Sequence, residues 1–130
     1  MLDATRCISY LTIELKGAIP EDLRPQVGTH IYGCDICQDV CPYNVKFAQE
    51  LREPAFAPRP HIGERDARSL ARQLLAMDDE AFRTAFRNSP IKRAKRRGVA
   101  RNAAVVLANI ADERDAPALA EYHAAMQSQP

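Results

Sequence analysis

The sequence predicts a mainly α protein in two parts: a cysteine-bearing N-terminal segment followed by a module of packed helices. Three observations carry this expectation. All four cysteines (Cys7, Cys34, Cys37 and Cys41) fall within residues 1–49. Residues 50–66 contain Pro54, Pro58, Pro60 and Gly63, which mark an extended, proline-rich linker. Residues 67–130 are rich in Ala, Leu and Arg, with apolar residues at helical spacing.

In chain order, Asp3 or Thr5 can cap a first helix over Leu2, Thr5, Ile8, Leu11 and Ile13, with Gly17 after its end. That helix would carry Cys7 on its first or second turn. Pro20 then opens a short helix, since its missing N–H costs nothing at a first helical position. Gly28 and Gly33 bracket Thr29 to Tyr32, and Gly33 would let the backbone approach a metal centre beside Cys34. Further on, Ala67 to Met77 sets Leu70, Leu74 and Leu75 on one face. Asp78 or Asp79 caps Glu80 to Phe86, with Phe82 and Phe86 buried. Ser89-Pro90 starts a segment through a basic cluster into the apolar stretch Val99 to Ile110. Asp112 and Asp115 offer caps for Ala116 to Met126. Short helices joined by tight polar turns fit a helical-hairpin repeat unit.

Composition excludes several classes. The net charge is +1, so nucleic-acid binding would need a local patch rather than a global field. Aromatic residues make up 6% of the chain, too few for a platform that stacks single-stranded bases. No apolar run approaches the roughly 18 residues of a membrane span, and no signal-peptide apolar region follows Met1. Clustered cysteines without a secretion signal favour metal or redox chemistry over disulfides, and a cytoplasmic location.

The run Cys34-Asp35-Ile36-Cys37-Gln38-Asp39-Val40-Cys41-Pro42 has the spacing C-x2-C-x3-C-P. It matches the last three cysteines of the bacterial ferredoxin run C-x2-C-x2-C-x3-C-P, in which thiolates wrap a [4Fe–4S] cluster. The cysteine due at position 31 is Ile31. In two-cluster ferredoxins the cysteine before the proline ligates the other cluster. By that logic Cys34, Cys37 and Cys7 hold one cluster and Cys41 reaches for a second. Neither set is complete, which predicts a further segment, in the same polypeptide or a partner chain, with another cysteine run. Two alternatives remain at this point: a self-contained ferredoxin-like electron-transfer module, and a four-cysteine zinc module that binds RNA. A zinc ribbon normally shows two C-x2-C pairs, and a self-contained carrier needs four ligands per cluster.

Lys92, Arg93, Lys95, Arg96, Arg97 and Arg101 gather six positive charges within ten residues. Such a cluster can be a solvated helix face, or it can contact the phosphates of RNA in a salt-sensitive way. Asn102 reads as a buried structural amide, His30, His61 and His123 as structural or surface groups, and Asp35 and Asp39 as exposed loop carboxylates. Tyr32 and Tyr43 read as shields for the cluster. Glu14 lacks a second group to pair with as a general acid.

Arg6-Cys7-Ile8-Ser9-Tyr10-Leu11-Thr12-Ile13-Glu14 and Ile31-Tyr32-Gly33-Cys34 through Pro42 resemble epoxyqueuosine reductases. So do Ser89-Pro90-Ile91-Lys92-Arg93, Arg96-Arg97-Gly98 and Arg101-Asn102-Ala103. The resemblance spans about residues 2 to 125 and corresponds to the C-terminal portion of that family. It implies a cytosolic, monomeric enzyme that reduces epoxyqueuosine to queuosine in tRNA with cobalamin and two [4Fe–4S] clusters. It also implies that residues 67–130 are a HEAT-like module docking tRNA. Cys7, Cys34 and Cys37 would ligate the cluster distal to cobalamin, and Cys41 the proximal one. The cobalamin-binding region, catalytic acid and first cysteine group are then expected outside this chain, which would be inactive alone.

Overall fold

The computed structural model describes residues 3–58, 62–63, 65–110 and 112–127. Of the residues named above, Met1, Leu2, Pro60 and His61 lie outside these. The described residues form helices and turns, with no strand among them.

Asp3 caps a 3-10 turn, Ala4–Arg6, by accepting from the Thr5 amide at 3.0 Å. The chain then runs extended at Cys7 (φ −68°, ψ 132°). The helix expected through Cys7 is therefore broken there, and Cys7 lies at a junction rather than on a helical turn. The chain winds again and widens into a π-helical turn, Tyr10–Glu14, where Leu15 donates to the Tyr10 carbonyl at 3.0 Å. The wide turn buries the adjacent residues Leu11 and Thr12 together. This explains why the apolar residues here follow no single period.

A 3-10 turn, Glu21–Leu23, leads into α1 (Arg24–Val27). Pro20 precedes the turn as its N-cap, and Pro25 takes the first-turn position expected of Pro20. Gly28, at φ 57°, ends α1 in a conformation that favours glycine. Two short helices follow, α2 (Ile36–Asp39) and α3 (Pro42–Phe47).

The helical module begins at α4 (Ala67–Ala76), capped by Asp66. Next is α5 (Asp79–Ala85), capped by Asp78. Ser89 caps a 3-10 turn, Pro90–Ala94, with Pro90 at its start. Lys95, at φ 60°, separates this turn from α6 (Lys95–Ile110). Asp112 and Asp115 form a reciprocal capping box around Glu113–Asp115 and lead into α7 (Ala116–Gln127).

The core does not divide at residue 49. Leu11, Ile19, Leu23, Val27 and Ile31 belong to one apolar cluster with Ala71, Leu74, Phe82, Phe86, Val99, Ala103, Val106 and Leu107. The physical reason is that the N-terminal elements are too short to enclose a core. They complete the one around α4 and α6 instead. Phe82 and Phe86 stack at 4.9 Å between centroids within it. From α4, Arg68 reaches the Ile110 carbonyl and Asp112, while Arg72 donates to Asp115 at 2.7 Å and locks the α6–α7 junction. Residues 35–58 behave differently. Apart from half-buried Cys41, all of them are exposed.

Candidate iron–sulfur site and basic face

The four cysteines are unpaired thiols. Cys7 and Cys37 are exposed, and Cys34 and Cys41 are half-buried. Cys37 lies in α2, and Cys41 is the N-cap of α3, where Pro42 starts the helix. Gly33, at φ 77°, turns the chain immediately before Cys34.

A hydrogen-bond network joins the Cys7 and Cys34 segments. The Ser9 hydroxyl donates to the Cys34 carbonyl at 3.1 Å and accepts from the Cys34 amide at 3.0 Å. Thr12 Oγ1 donates to the Ile8 carbonyl at 2.7 Å and accepts from the Gly33 amide at 3.0 Å. Behind both stands α6. Asn102, wholly buried, donates to the Thr12 carbonyl at 2.6 Å and the Ile31 carbonyl at 2.9 Å. The end of a helix leaves carbonyls without intrahelical partners, and Arg101 and Asn102 satisfy those of the π turn. The expectation that Asn102 is structural agrees with this position. Ser9 and Thr12 went unremarked in the sequence; their only signal was a pair of hydroxyls spaced along an otherwise apolar stretch.

The basic cluster divides. Arg101 points inward. Its guanidinium donates to the carbonyls of Leu11 (2.8 Å), Leu15 (2.8 Å) and Gly17, and twice to Asn102 Oδ1. This corrects its assignment to the RNA-facing set, because all its donors are engaged within the protein. Burial lowers the Arg101 pKa, with nearby Tyr122 opposing. Arg93 pairs with Glu14 at 2.6 Å and Arg96 with Asp79 at 3.0 Å. Lys92, Lys95 and Arg97 are exposed and form no ion pair among the described residues. A cleft of about 470 Å3 brings Lys16 beside Lys95 and Arg97, with Tyr122 and His123 on its wall. Lys16 is distant in sequence and was not grouped with the cluster.

The other side chains are placed as follows. Tyr32 donates to the Pro90 carbonyl at 2.7 Å, so its hydroxyl ties the loop to the helical module. Tyr43 is 74% exposed, with its ring 6.1 Å from that of Phe47 between centroids. His30 Nδ1 contacts the Val27 carbonyl at 3.0 Å. His123, Asp35 and Asp39 are exposed.

Residues 1–44 match the family model described as a 4Fe-4S double cluster binding domain. The chain is 47% identical over 120 residues to the epoxyqueuosine reductase of Xanthomonas campestris, covering 92% of this chain and 32% of the relative. It is also 47% identical to that of Escherichia coli, over 83% of this chain and 27% of the relative. In sequence and fold, this chain is similar to part of an epoxyqueuosine reductase. It spans about a third of the length of these relatives. A crystal structure of epoxyqueuosine reductase with an epoxyqueuosine-modified tRNA-Tyr stem loop superposes with a TM-score of 0.75 at 34% identity. That match covers 92% of this chain and 30% of the other. The Bacillus subtilis epoxyqueuosine reductase gives 0.74 at 33% identity, over 99% of this chain and 32% of the other.

The donor set suits a cluster. Four free thiols are soft ligands of the kind iron–sulfur clusters use. Among the described residues, no three His, Cys, Asp or Glu side chains converge as a metal-ion site. Ligands of a cluster bind separate irons and stand further apart. No helix among the described residues is long and apolar enough to cross a membrane.

Proposed function

We propose that this chain is the cluster-ligating, RNA-docking C-terminal part of an epoxyqueuosine reductase, a cytosolic enzyme that is monomeric when complete. The observation that carries the reading is the chain's 47% identity to such an enzyme, in a sequence whose Cys34, Cys37 and Cys41 keep the spacing of the last three cysteines of the two-cluster run. Cys7, Cys34 and Cys37 hold one [4Fe–4S] cluster. Cys41 supplies one ligand to the second. The remaining ligands come from another segment, which also binds cobalamin and carries the catalytic acid. Bound cobalamin supplies the reducing centre for the substrate, and the clusters supply electrons one at a time. Removing the epoxide oxygen as water to leave an alkene consumes two electrons and two protons, so a chain of one-electron centres fits the demand.

The surface supports a covering segment. Ile36, Val40, Tyr43, Val45, Phe47, Leu51 and Phe56 are all large, apolar and at least half exposed, and all lie in residues 36–56. A contiguous stretch of this kind marks an interface. Lys92, Lys95 and Arg97 provide the tRNA contacts, to phosphates rather than bases. Arg93 and Arg96 contribute from within their ion pairs.

The test is a chimera in which residues 1–130 replace the matching part of the Escherichia coli enzyme. It should convert epoxyqueuosine to queuosine in tRNA, measured by nucleoside analysis. Cys7→Ala and Cys41→Ala chimeras should not. A chimera that folds and binds iron yet leaves epoxyqueuosine unconverted would refute the proposal.

A further inference from the structure

We infer that Ser9, backed by Asn102 of α6, is a positioning residue for the first cluster: it fixes the backbone of Cys34 against the segment that carries Cys7. The inference rests on the ligand assignment proposed above. It adds the mechanism by which two ligands 27 residues apart in sequence are held in register.

The motif alone does not hold them. Cys37 and Cys41 sit on or beside α2 and α3, so local helix geometry sets their spacing. Cys7 has no such help, because the chain is extended there. Its relation to Cys34 must come from tertiary contacts. Ser9 makes the nearest one, two residues after Cys7. Its single hydroxyl bonds both the amide and the carbonyl of Cys34. One contact could pivot; a hydroxyl held at both polar groups of one residue cannot.

The anchor continues inward without a gap. Thr12, one turn after Ser9, holds the Gly33 amide, which lies immediately before Cys34. Asn102 then bonds Thr12 and Ile31, one residue from each side of the same junction. It is wholly buried, so its amide has no water to turn to. Its orientation is set by Arg101, which donates twice to its Oδ1. Further along α6, Asn109 repeats the pattern, donating to the carbonyls of Arg24 at 2.8 Å and Gly28 at 3.1 Å. The helix that begins with Lys95, Arg96 and Arg97 therefore also grips the loop that presents Cys34. A docked RNA and the cluster share one rigid reference element.

The experiment uses the full 130-residue chain, reconstituted anaerobically with iron and sulfide, with dithiothreitol supplying the missing thiolate. Ser9→Ala should retain the wild-type helical circular dichroism and lower the melting temperature by no more than about 5 °C, the scale of one or two neutral hydrogen bonds. Without metal, its Cys34 amide should exchange hydrogen faster. With iron, it should lose the cluster to a chelator about five- to tenfold faster, the scale of losing one or two hydrogen bonds. Ser9→Thr keeps the hydroxyl and should restore retention. Ser69→Ala, which removes a hydroxyl near the Asp66 cap of α4, should release iron at the wild-type rate. Faster amide exchange in Ser9→Ala with wild-type cluster retention would make Ser9 merely structural and overturn the inference. Wild-type residues 1–130 that take up no iron even in the chimera described above, where the remaining ligands are present, would instead overturn the ligand assignment on which the inference stands.

Discussion

Replacing Arg101 by alanine separates the inward reading of this residue from an RNA-binding one. The side chain makes five hydrogen bonds, to the carbonyls of Leu11, Leu15 and Gly17 and to Asn102 Oδ1. After truncation, Lys16 and Gly17 are at the surface, so water can reach the Leu15 and Gly17 carbonyls. The Leu11 carbonyl and Asn102 Oδ1 lie in buried residues and lose their charged donor. Hydrogen bonds to charged groups contribute about 1.5–3 kcal/mol each, and neutral ones about 1 kcal/mol. Discounting the solvated contacts leaves two buried acceptors, the Leu11 carbonyl and Asn102 Oδ1, and the lower end of that range for each gives a loss of about 3 kcal/mol. At this chain length that lowers Tm by about 10 °C. The assay is thermal unfolding followed by circular dichroism, beside binding of a tRNA anticodon stem loop. Arg97→Ala is the contrast: an exposed residue without an ion pair among the described residues should change stability by under about 0.5 kcal/mol. If Arg101→Ala melts like wild type while losing as much RNA affinity as Arg97→Ala, the guanidinium faces solvent and this reasoning fails.

Three other outcomes follow from the same geometry. Replacing Lys92, Lys95 and Arg97 together by alanine should flatten the plot of log affinity for the stem loop against log salt by about two units or more, since each phosphate contact contributes roughly 0.7–0.9; an unchanged slope would remove these residues from the interface. Although burial opposes it, hydrogen bonds from the Asp112 backbone and Arg72, with the charges of Arg68 and Arg72, hold the Asp115 pKa below its ordinary value. Its stabilising contribution is thus present above the unfolded carboxylate pKa of about 3.9 and is lost as pH falls below that value. Asp115→Asn should lower stability at neutral pH and flatten its acid dependence, measured by urea unfolding across pH. Val40→Glu with Phe47→Glu should reduce self-association and binding of a hydrophobic dye while leaving Tm unchanged, because both residues are exposed; a drop in Tm would place them in a core.

Much of the helical module was readable because its signals are local. Asp78 caps the element predicted for it, and Ser89 and the Asp112/Asp115 pair cap the 3-10 turns that lead into α6 and α7, since a cap needs only its own neighbours. Phe82 and Phe86 are buried, as their spacing required. The first helix was not readable. Its π turn presents carbonyls to donors supplied by Arg101 and Asn102, some 90 residues away, and no local pattern encodes a distant donor.

The cysteine spacing pointed to iron–sulfur chemistry without the fold, because a ligand motif records which atoms a metal centre needs and at what intervals, and the family match over residues 1–44 agrees with it. Charge density likewise marked the basic cluster. Spacing cannot record direction. Among the described residues, the six cations clustered in sequence divide into three with no ion pair, two in ion pairs and one turned into the protein, because the break at Lys95 and the rotation of α6 aim neighbouring side chains differently. How the Cys7 segment meets Cys34 belongs to the tertiary structure for the same reason: Ser9 and Thr12 bond residues distant in sequence, and the bonds of Asn102 exist only once α6 has packed against the N-terminal turn.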